Sequence, residues 1–535
     1  MIYKFLIKSI IILIVNKEIG VNMSEEKKCL FLDNGKENEL YDIVVIGAGP
    51  GGYHSAIRAA QYGAKVALIE KSFAGGVCSN LGCIPTKALY ASVSLLEDIQ
   101  EKAESLGIQI KDYSINFEQA VERKNKVVND LRLGIEGLLK AQNVACFFGF
   151  GRIEGGNKES GFDISIENPN GKRFIKGKRV IIATGSKPAM IPAFNIDHKK
   201  ILTSDDILNP NFKKLPKSML IIGAGVIGCE FGNIFARFGV KVTMLELLPT
   251  MIATEEKLVI KELQKKFEKM GIKVHVNQNV LKIEATENGV RAITCDATIP
   301  KEKIETAEKF IYEADLCLVS IGRTKLSQDL GLEKLGVKIE RGSIIVDKET
   351  METNVTGIYA IGDVNNVGLM LAHVASYQGD IAVSQALHSL GGFDIHPRKA
   401  SDNDVVPYTI FTEPEIGSVG LREEAAKKWA KENNKKIYTG RFYYSSLGKA
   451  KCMGKEDGFL MIVVDAETDK ILGASCIGAE APELIAEIAL AMNYGITATQ
   501  LAETIHSHPT VSEMVMEAAE DVHGLSIHKA SRIRK

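Results

Sequence analysis

Two cysteines five residues apart, Cys78 and Cys83, sit in the run Gly75-Gly76-Val77-Cys78-Ser79-Asn80-Leu81-Gly82-Cys83-Ile84-Pro85-Thr86-Lys87. On a regular helix, five residues advance about 7.5 Å along the axis. The Cα atoms of a disulfide lie within roughly 7 Å of each other. A bridge between Cys78 and Cys83 therefore needs a distorted first turn, which Gly82 would help to supply. The chain has nine cysteines, an odd number with mostly irregular spacing. In that setting a short-loop bridge reads as redox chemistry rather than scaffolding; the other reading is two free thiols that merely lie close. A second constellation, Ile505-His506-Ser507-His508-Pro509-Thr510-Val511-Ser512-Glu513, offers a base. A thiolate, not a thiol, attacks a disulfide, and an imidazole titrates in the range needed to produce one. A carboxylate on its other nitrogen would orient it. Taken alone, both histidines could equally be ordinary loop residues.

The elements around these groups are glycine turns between strands and helices. Residues 41–71 read YDIVVIGAGPGGYHSAIRAAQYGAKVALIEK. A β-branched run at 43–46 predicts a buried parallel strand. It leads into Gly47-Ala48-Gly49-Pro50-Gly51-Gly52, a helix to Gly63 and a second strand at 65–69. Gly47 permits the tight turn, Gly49 lets the backbone approach a pyrophosphate, and Gly52 allows close helix–strand packing. Glu70, 23 residues after Gly47, is placed to accept from ribose hydroxyls. The same grammar recurs with a strand at 220–222, Gly223, Gly225 and Gly228, a strand at 240–245, and Glu246 again 23 residues after the first glycine. An acid there favours a free 2′-hydroxyl, and no Arg follows at 247–252 to hold a 2′-phosphate, so NAD is expected over NADP. Two such folds imply two dinucleotides.

The 535 residues predict three or four domains. A hydrophobic share of 45%, a charged share of 25% and a net charge of −1 fit a multidomain globular protein and exclude a strongly basic nucleic-acid or membrane-surface binder. Neither nucleic-acid binding nor membrane insertion is expected, and no metal site.

The segment GGVCSNLGCIPTKAL resembles the active-site signature of the pyridine nucleotide–disulfide oxidoreductases, most closely their dihydrolipoamide-oxidising members, and the resemblance runs from Tyr41 onward. It implies an α/β fold with two Rossmann-like dinucleotide domains of the glutathione reductase type and a C-terminal α+β dimerisation domain. It implies FAD in the first fold and NAD in the second. Cys78 would exchange with substrate, Cys83 would face the isoalloxazine ring, and Lys87 with its acidic partner Glu230 would lie near flavin N5. Thr184, Gly185 and Ser186 match a crossover between the nucleotide domains, and Gly322 before Arg323 matches the return. Asp363, after a buried strand, matches the acceptor for ribityl hydroxyls, and an ordinary helix cap is its bland alternative. Leu371, Ala372 and His373 match the segment beside the flavin pyrimidine edge. His508 and Glu513 match the catalytic base and its carboxylate, acting on the cysteines of a second subunit, while His506 is the lesser candidate. The implied partners are a second copy of the chain and a lipoylated carrier: the E2 component of a 2-oxoacid dehydrogenase complex, or the H protein of glycine cleavage.

After Arg323, where the family commonly has a proline and an asparagine, this chain has Thr324, Lys325 and Leu326; residues 286–309 are also long and polar. Both departures read as loop variation away from the redox centre. Glutathione reductase-like and mercuric reductase-like readings are weaker: basic residues near Glu246 and a paired-cysteine tail are both missing. A non-enzymatic FAD protein is disfavoured by both cysteines, His508 and Glu513 occurring together. The expected division is a disordered or targeting leader over 1–40, FAD domain 41–189, NAD domain 190–321, a central region completing the FAD domain over 322–402, and an interface domain 403–535. The apolar run at 5–15 leaves the leader open as a targeting segment or as residues preceding a true start at Met23. A bacterial cytoplasm is expected, or a mitochondrial matrix or plastid if the leader targets.

Overall fold

A computed structural model describes residues 31–401 and 405–530. Most of the expected leader, 1–30, lies outside the described residues, but 31–39 belong to the folded body. Phe31 is buried in the first core, and Asn34 and Gly35 donate backbone N–H groups to the Cys146 carbonyl at 3.0 and 2.9 Å. The folded body thus begins ahead of the Tyr41 start that apolar patterning suggests. These residues cap a sheet edge irregularly and so carry no strand periodicity.

The first nucleotide fold comprises β1 (Leu40–Ile46), α1 (Pro50–Gln61), β2 (Val66–Glu70), α2 (Gly76–Leu81), α3 (Cys83–Glu97), α4 (Phe117–Ala141), β3 (Ala145–Phe148), β4 (Phe150–Asn157), β5 (Gly161–Asn168) and β6 (Gly171–Ile182). Its sheet order is β3-β2-β1-β6-β5-β4, with β2, β1, β3 and β6 parallel where they pair. Buried Val, Ile and Leu fill both faces of β1 and β2, as helix-covered parallel strands require. Pro50 enters α1 in its first turn, where its missing N–H costs no hydrogen bond.

Two short strands, β7 (Ser186–Pro188) and β8 (Ile201–Leu202), lead to the second fold. It contains β9 (Ser218–Ile222), α5 (Val226–Arg237), β10 (Lys241–Leu245), α6 (Lys257–Lys269) and β11 (Lys273–His275). The antiparallel β12 (Gln278–Thr286), β13 (Gly289–Asp296) and β14 (Phe310–Ala314) precede β15 (Leu316–Val319), which closes a parallel sheet in the order β11-β10-β9-β15-β8. The polar stretch at 286–309 is therefore not all loop. Val290, Ala292, Thr294 and Cys295 of β13 point into packed surroundings, and the loop proper is 297–309.

The chain returns through β16 (Arg323–Lys325), paired antiparallel with β7, so the outgoing and returning links between the two folds hydrogen-bond to each other. After the small β17 (Ile339–Glu340) and β18 (Ser343–Ile344), β19 (Ile358–Ala360) adds to β6 in the first sheet, and α7 (Ala372–Leu390) packs on α1. That helix contact depends on small residues. A Cβ on Gly379 would sit 2.5 Å from Ser55 Oγ and 3.2 Å from the Gly51 carbonyl. The C-terminal unit is an antiparallel sheet, β20 (Tyr408–Ile410), β21 (Ile416–Gly420), β22 (Ile437–Tyr443), β23 (Phe459–Asp465) and β24 (Ile471–Ile477), in the order β20-β21-β24-β23-β22. It is covered by α8 (Ala481–Asn493) and α9 (Glu513–Val522) over an apolar core of their own. Among the described residues no helix is long and apolar enough to cross a membrane.

Candidate active site

Cys78 lies within α2 and Cys83 is the first residue of α3, with Gly82 between them at φ −148° and ψ −116°. The expected distortion is thus a break between two helices, and it brings the thiols within hydrogen-bond reach of each other. Both cysteines are present as free thiols. Their shared hydrogen bond, followed by burial, pushes Cys78 far above the usual thiol range. The same bond, with the Lys87 charge, holds Cys83 below that range, against burial and the Glu230 carboxylate. Cys83 also stands at the N-terminus of a 15-residue helix, whose dipole favours a thiolate.

Lys87, one turn along α3, donates from Nζ to both carboxylate oxygens of Glu230 at 2.7 Å. Glu230 is buried on α5 of the second fold and also accepts the Phe411 N–H at 3.0 Å. The Phe411 ring lies 4.7 Å from the ammonium. Phe411 carries no distinguishing signal in the sequence; an aromatic between two strands reads as core. Farther along α3, Tyr90 donates to Glu413 Oε1 at 2.6 Å, and Glu97 is paired with Arg237 of α5 and Lys266 of α6. The helix carrying Cys83 is therefore fastened to both other units.

The two glycine turns are built alike. Gly47 has φ 103° and Gly223 φ 96°. A Cβ on Gly52 would stand 1.8 Å from the Gly47 carbonyl, and one on Gly228 2.0 Å from the Gly223 carbonyl. Gly49 and Gly225 have nothing within 4 Å on the side a Cβ would occupy, leaving room for a ligand's backbone approach. The two acids, expected to face a ribose, are engaged by backbone amides. Glu70 accepts from the N–H groups of Ala48 (2.7 Å) and Ser72 (2.9 Å), and Glu246 from those of Ala224 (2.6 Å) and Leu248 (2.8 Å). Each carboxylate braces its own phosphate turn.

A cavity of about 950 Å³ runs from the first glycine turn to the cysteines. Its lining includes Gly47, Gly49, Glu70, Cys78, Cys83, Lys87, Thr184, Gly185, Ser186, Glu230, Asp363, Leu371, Ala372 and His373, so the expected FAD and redox residues come together with the exception of Gly52, which packs behind the turn. Ser186 donates to Asp363 Oδ2 at 2.6 Å and receives Arg323 Nε at 2.7 Å, while Thr184 donates to the Leu326 carbonyl at 2.6 Å. His373 Nε2 lies 3.0 Å from the Pro407 carbonyl. Size, phosphate turn and acceptor set fit a flavin dinucleotide. Gly223, Gly225, Gly228, Glu246 and Gly322 stand apart from this cavity, at the ends of the second parallel sheet. Thr324, Lys325 and Leu326, expected as loop variation, instead line the cavity: β16 pairs with β7, which carries Ser186, the donor to Asp363.

His508 and Glu513 form a pair: Nδ1 to Oε1 is 2.8 Å, and Glu513 Oε2 accepts the Thr510 N–H at 2.9 Å. Burial opposes ionisation of Glu513, but these bonds keep its pKa below the usual carboxylate value. With Nδ1 turned to the carboxylate, Nε2 is left to accept a proton. The His508 side chain is 76% exposed and does not line the cavity that holds the cysteines. The His506 side chain is buried with both ring nitrogens engaged, by Glu487 at 2.9 Å and the Thr504 carbonyl at 2.8 Å, so it braces the loop.

The chain belongs to the pyridine nucleotide-disulphide oxidoreductase family: the family's main model matches residues 41–379 and its dimerisation domain matches 406–519. It is 41% identical over 492 residues to the dihydrolipoyl dehydrogenase of Bacillus subtilis, covering 91% of this chain and 99% of that protein. It is 36% identical over 500 residues to the mitochondrial dihydrolipoyl dehydrogenase of Pisum sativum, covering 93% and 94%. Among solved structures, LpdA from Mycobacterium tuberculosis superposes with a TM-score of 0.79 at 27% identity, covering 90% of this chain and 99% of that one. The HOCl-induced flavoprotein disulfide reductase RclA from Escherichia coli gives 0.76 at 28% identity, with the same coverage. The family's cofactors are FAD and NAD.

Two results are expected from this geometry. Because Lys87 lowers the Cys83 pKa, the thiolate persists as pH falls until it is protonated at that depressed value. Lys87→Met raises the value, so the long-wavelength charge-transfer absorbance of dithiol-treated protein is lost at higher pH than in wild type; an unmoved midpoint removes Lys87 from this role. Glu70→Ala and Glu246→Ala each leave two N–H groups unbraced. The first is expected to strip bound flavin; the second retains flavin and raises KM for NAD+ about tenfold or more, a loss of roughly 1.4 kcal/mol. Steady-state kinetics and flavin content check both.

Proposed function

We propose that the protein is a dihydrolipoyl dehydrogenase, oxidising carrier-bound dihydrolipoyl groups and reducing NAD+ to NADH. The observation that carries the reading is the polarised thiol pair, with Cys83 held as the better thiolate beside Lys87 on one wall of a flavin-sized cavity. Relatives bearing that name along nearly the whole chain support it.

In the oxidised enzyme Cys78 and Cys83 are joined. His508 Nε2 takes a proton from one dihydrolipoyl thiol, and Glu513 holds the resulting imidazolium in place. The thiolate attacks Cys78 Sγ; a substrate–Cys78 bond forms, the Cys78–Cys83 bond breaks, and Cys83 leaves as a thiolate stabilised by Lys87 and the α3 terminus. The second substrate thiol attacks the substrate sulfur bonded to Cys78; the lipoyl S–S bond forms, the substrate–Cys78 bond breaks, and the second thiol's proton ends on Cys78, which leaves as a thiol while His508 keeps the first proton. FAD, when bound, supplies the two-electron carrier between the dithiol and NAD+. Gly47, Gly49, Gly52, Glu70, Thr184, Gly185, Ser186, Asp363, Leu371, Ala372 and His373 are assigned to FAD, and Gly223, Gly225, Gly228, Glu246 and Gly322 to NAD. The functional division is 41–189, 190–321, 322–402 and 403–535; the addition of β19 to the first sheet supports counting 322–402 with the FAD part.

The exposure of His508 and its separation from the cysteine cavity support a homodimer in which each base serves the partner's cysteines. The lipoyl group arrives on an E2 or H protein, and the enzyme works in the cytoplasm.

NAD+ reduction compared with dihydrolipoamide, glutathione and other thiols tests the activity; glutathione outperforming dihydrolipoamide would reject it. Cys78→Ser is expected to abolish lipoamide turnover with flavin still bound. His508→Gln is expected to cut it about 10²–10⁴-fold. Dissociating and mixing those two inactive variants should restore activity, since half of each kind of subunit completes one site. Mixed dimers without activity would place the base and the cysteines in the same chain.

A further inference from the structure

The departure after Arg323 puts a lysine where the family commonly has neutral residues, and the fold points it inward. Arg323 and Lys325 are two apart on β16 and so share a face. That face meets the 362–365 turn: Arg323 reaches Asp363 through Ser186, and the Lys325 ammonium donates to the Asn365 carbonyl. The turn in turn abuts the start of α1, since a Cβ on Gly51 would lie 3.1 Å from Ile361 and 3.0 Å from the Ala375 carbonyl, with Gly362 packed on Ala375. Lys325 thus lines the same cavity as the glycine turn at the start of α1, with the 361–365 segment in contact with both.

The other cations of the lining are committed elsewhere. Lys87 is held by Glu230, Arg323 by Ser186, Lys71 lies over the Phe150 ring beyond Glu70, and Lys187 is exposed. Lys325 is half-buried, and among the described residues no carboxylate comes within ion-pair distance of it. Burial lowers its pKa, opposed only by the longer-range charge of Asp363. An ammonium with one carbonyl partner has two N–H donors left, and the backbone amides of a glycine turn carry no full charge to offset a dianion.

We propose that Lys325 is an FAD-binding residue of this chain, its ammonium serving the pyrophosphate at the start of α1. This rests on FAD occupying the first glycine fold. The role is electrostatic, so it is carried equally by arginine and weakened by salt.

The test follows release of FAD from the full-length flavin-loaded protein, diluted and read as recovery of flavin fluorescence. Lys325→Met is expected to weaken retention about tenfold or more at low salt, the scale of one lost charge-assisted bond. The gap should narrow as NaCl rises, and Lys325→Arg should behave as wild type. Release from Lys325→Met matching wild type at low salt overturns the proposal. So does a gap indifferent to salt, or an arginine variant as leaky as methionine, since either reports packing. A shifted spectrum of bound flavin with unchanged release would put the ammonium against the ring system and also overturns it. Wild-type protein that carries no flavin would defeat the functional reading itself, whereas a flavin-loaded protein with release indifferent to Lys325 defeats this inference alone.

Discussion

The ion pair between Lys87 and Glu230 is the constraint on which the rest of the site depends. Glu230 is buried, and an ion removed from water is tolerated only when paired and fully hydrogen-bonded. Here both carboxylate oxygens face one ammonium, and one of them also takes the Phe411 amide. Breaking such a pair from one side typically costs about 3–5 kcal/mol, because the remaining charge is stranded. The three participants come from the redox helix, the second glycine fold and the entry to the C-terminal sheet. Satisfying one charge therefore fixes the relation of three units, and Tyr90 and Glu97 repeat the arrangement farther along α3. The positive charge that holds the pair is also the one that favours Cys83 as a thiolate.

The same economy governs the nucleotide turns. A loop that presents N–H groups to a phosphate has few internal bonds of its own, so something must hold its shape before the ligand arrives. Glu70 and Glu246 do this by accepting from a turn amide and from the amide two residues beyond the acid. An acid at this position thus supplies loop preorganisation whatever part it takes in holding a ribose, and its removal is expected to harm binding even of ligands that never touch the acid.

Those turns were legible in the sequence because their determinants are local. The first glycine, the glycine that packs helix on strand and the closing acid all fall within one βαβ unit, where strand and helix lengths fix the spacing. The cysteine pair was legible through its resemblance to the family signature; its five-residue spacing alone left two free thiols open, and the break at Gly82 is what brings them together. Lys325 and Phe411 were not. Each acquires its place through a partner far along the chain: Lys325 through the pairing of β16 with β7, and Phe411 through Glu230. Segment 31–39 was hidden because it packs by capping rather than by periodic burial. Strand β13 was hidden because its apolar residues are spaced among polar ones in a stretch whose overall composition is that of a loop.

The separation of base and thiols follows from how each group must be kept. Cys83 is favoured as a thiolate by the Lys87 ammonium beside it, which the ion pair to Glu230 of the second glycine fold holds in place. His508, the base of the proposed function, projects from a loop that His506 and Glu487 tie to α8. The C-terminal sheet that carries this loop packs its covering helices over a core of its own, so the place of the imidazole is set by the C-terminal unit, while the cysteines sit in a cavity whose lining does not include it. In the proposed function, docking of a second chain is what brings a proton acceptor to the Cys78–Cys83 pair. On that reading dimer formation is a condition of the chemistry, and the family's dimerisation domain, matched over residues 406–519, is the part of the chain that carries both the interface and the base.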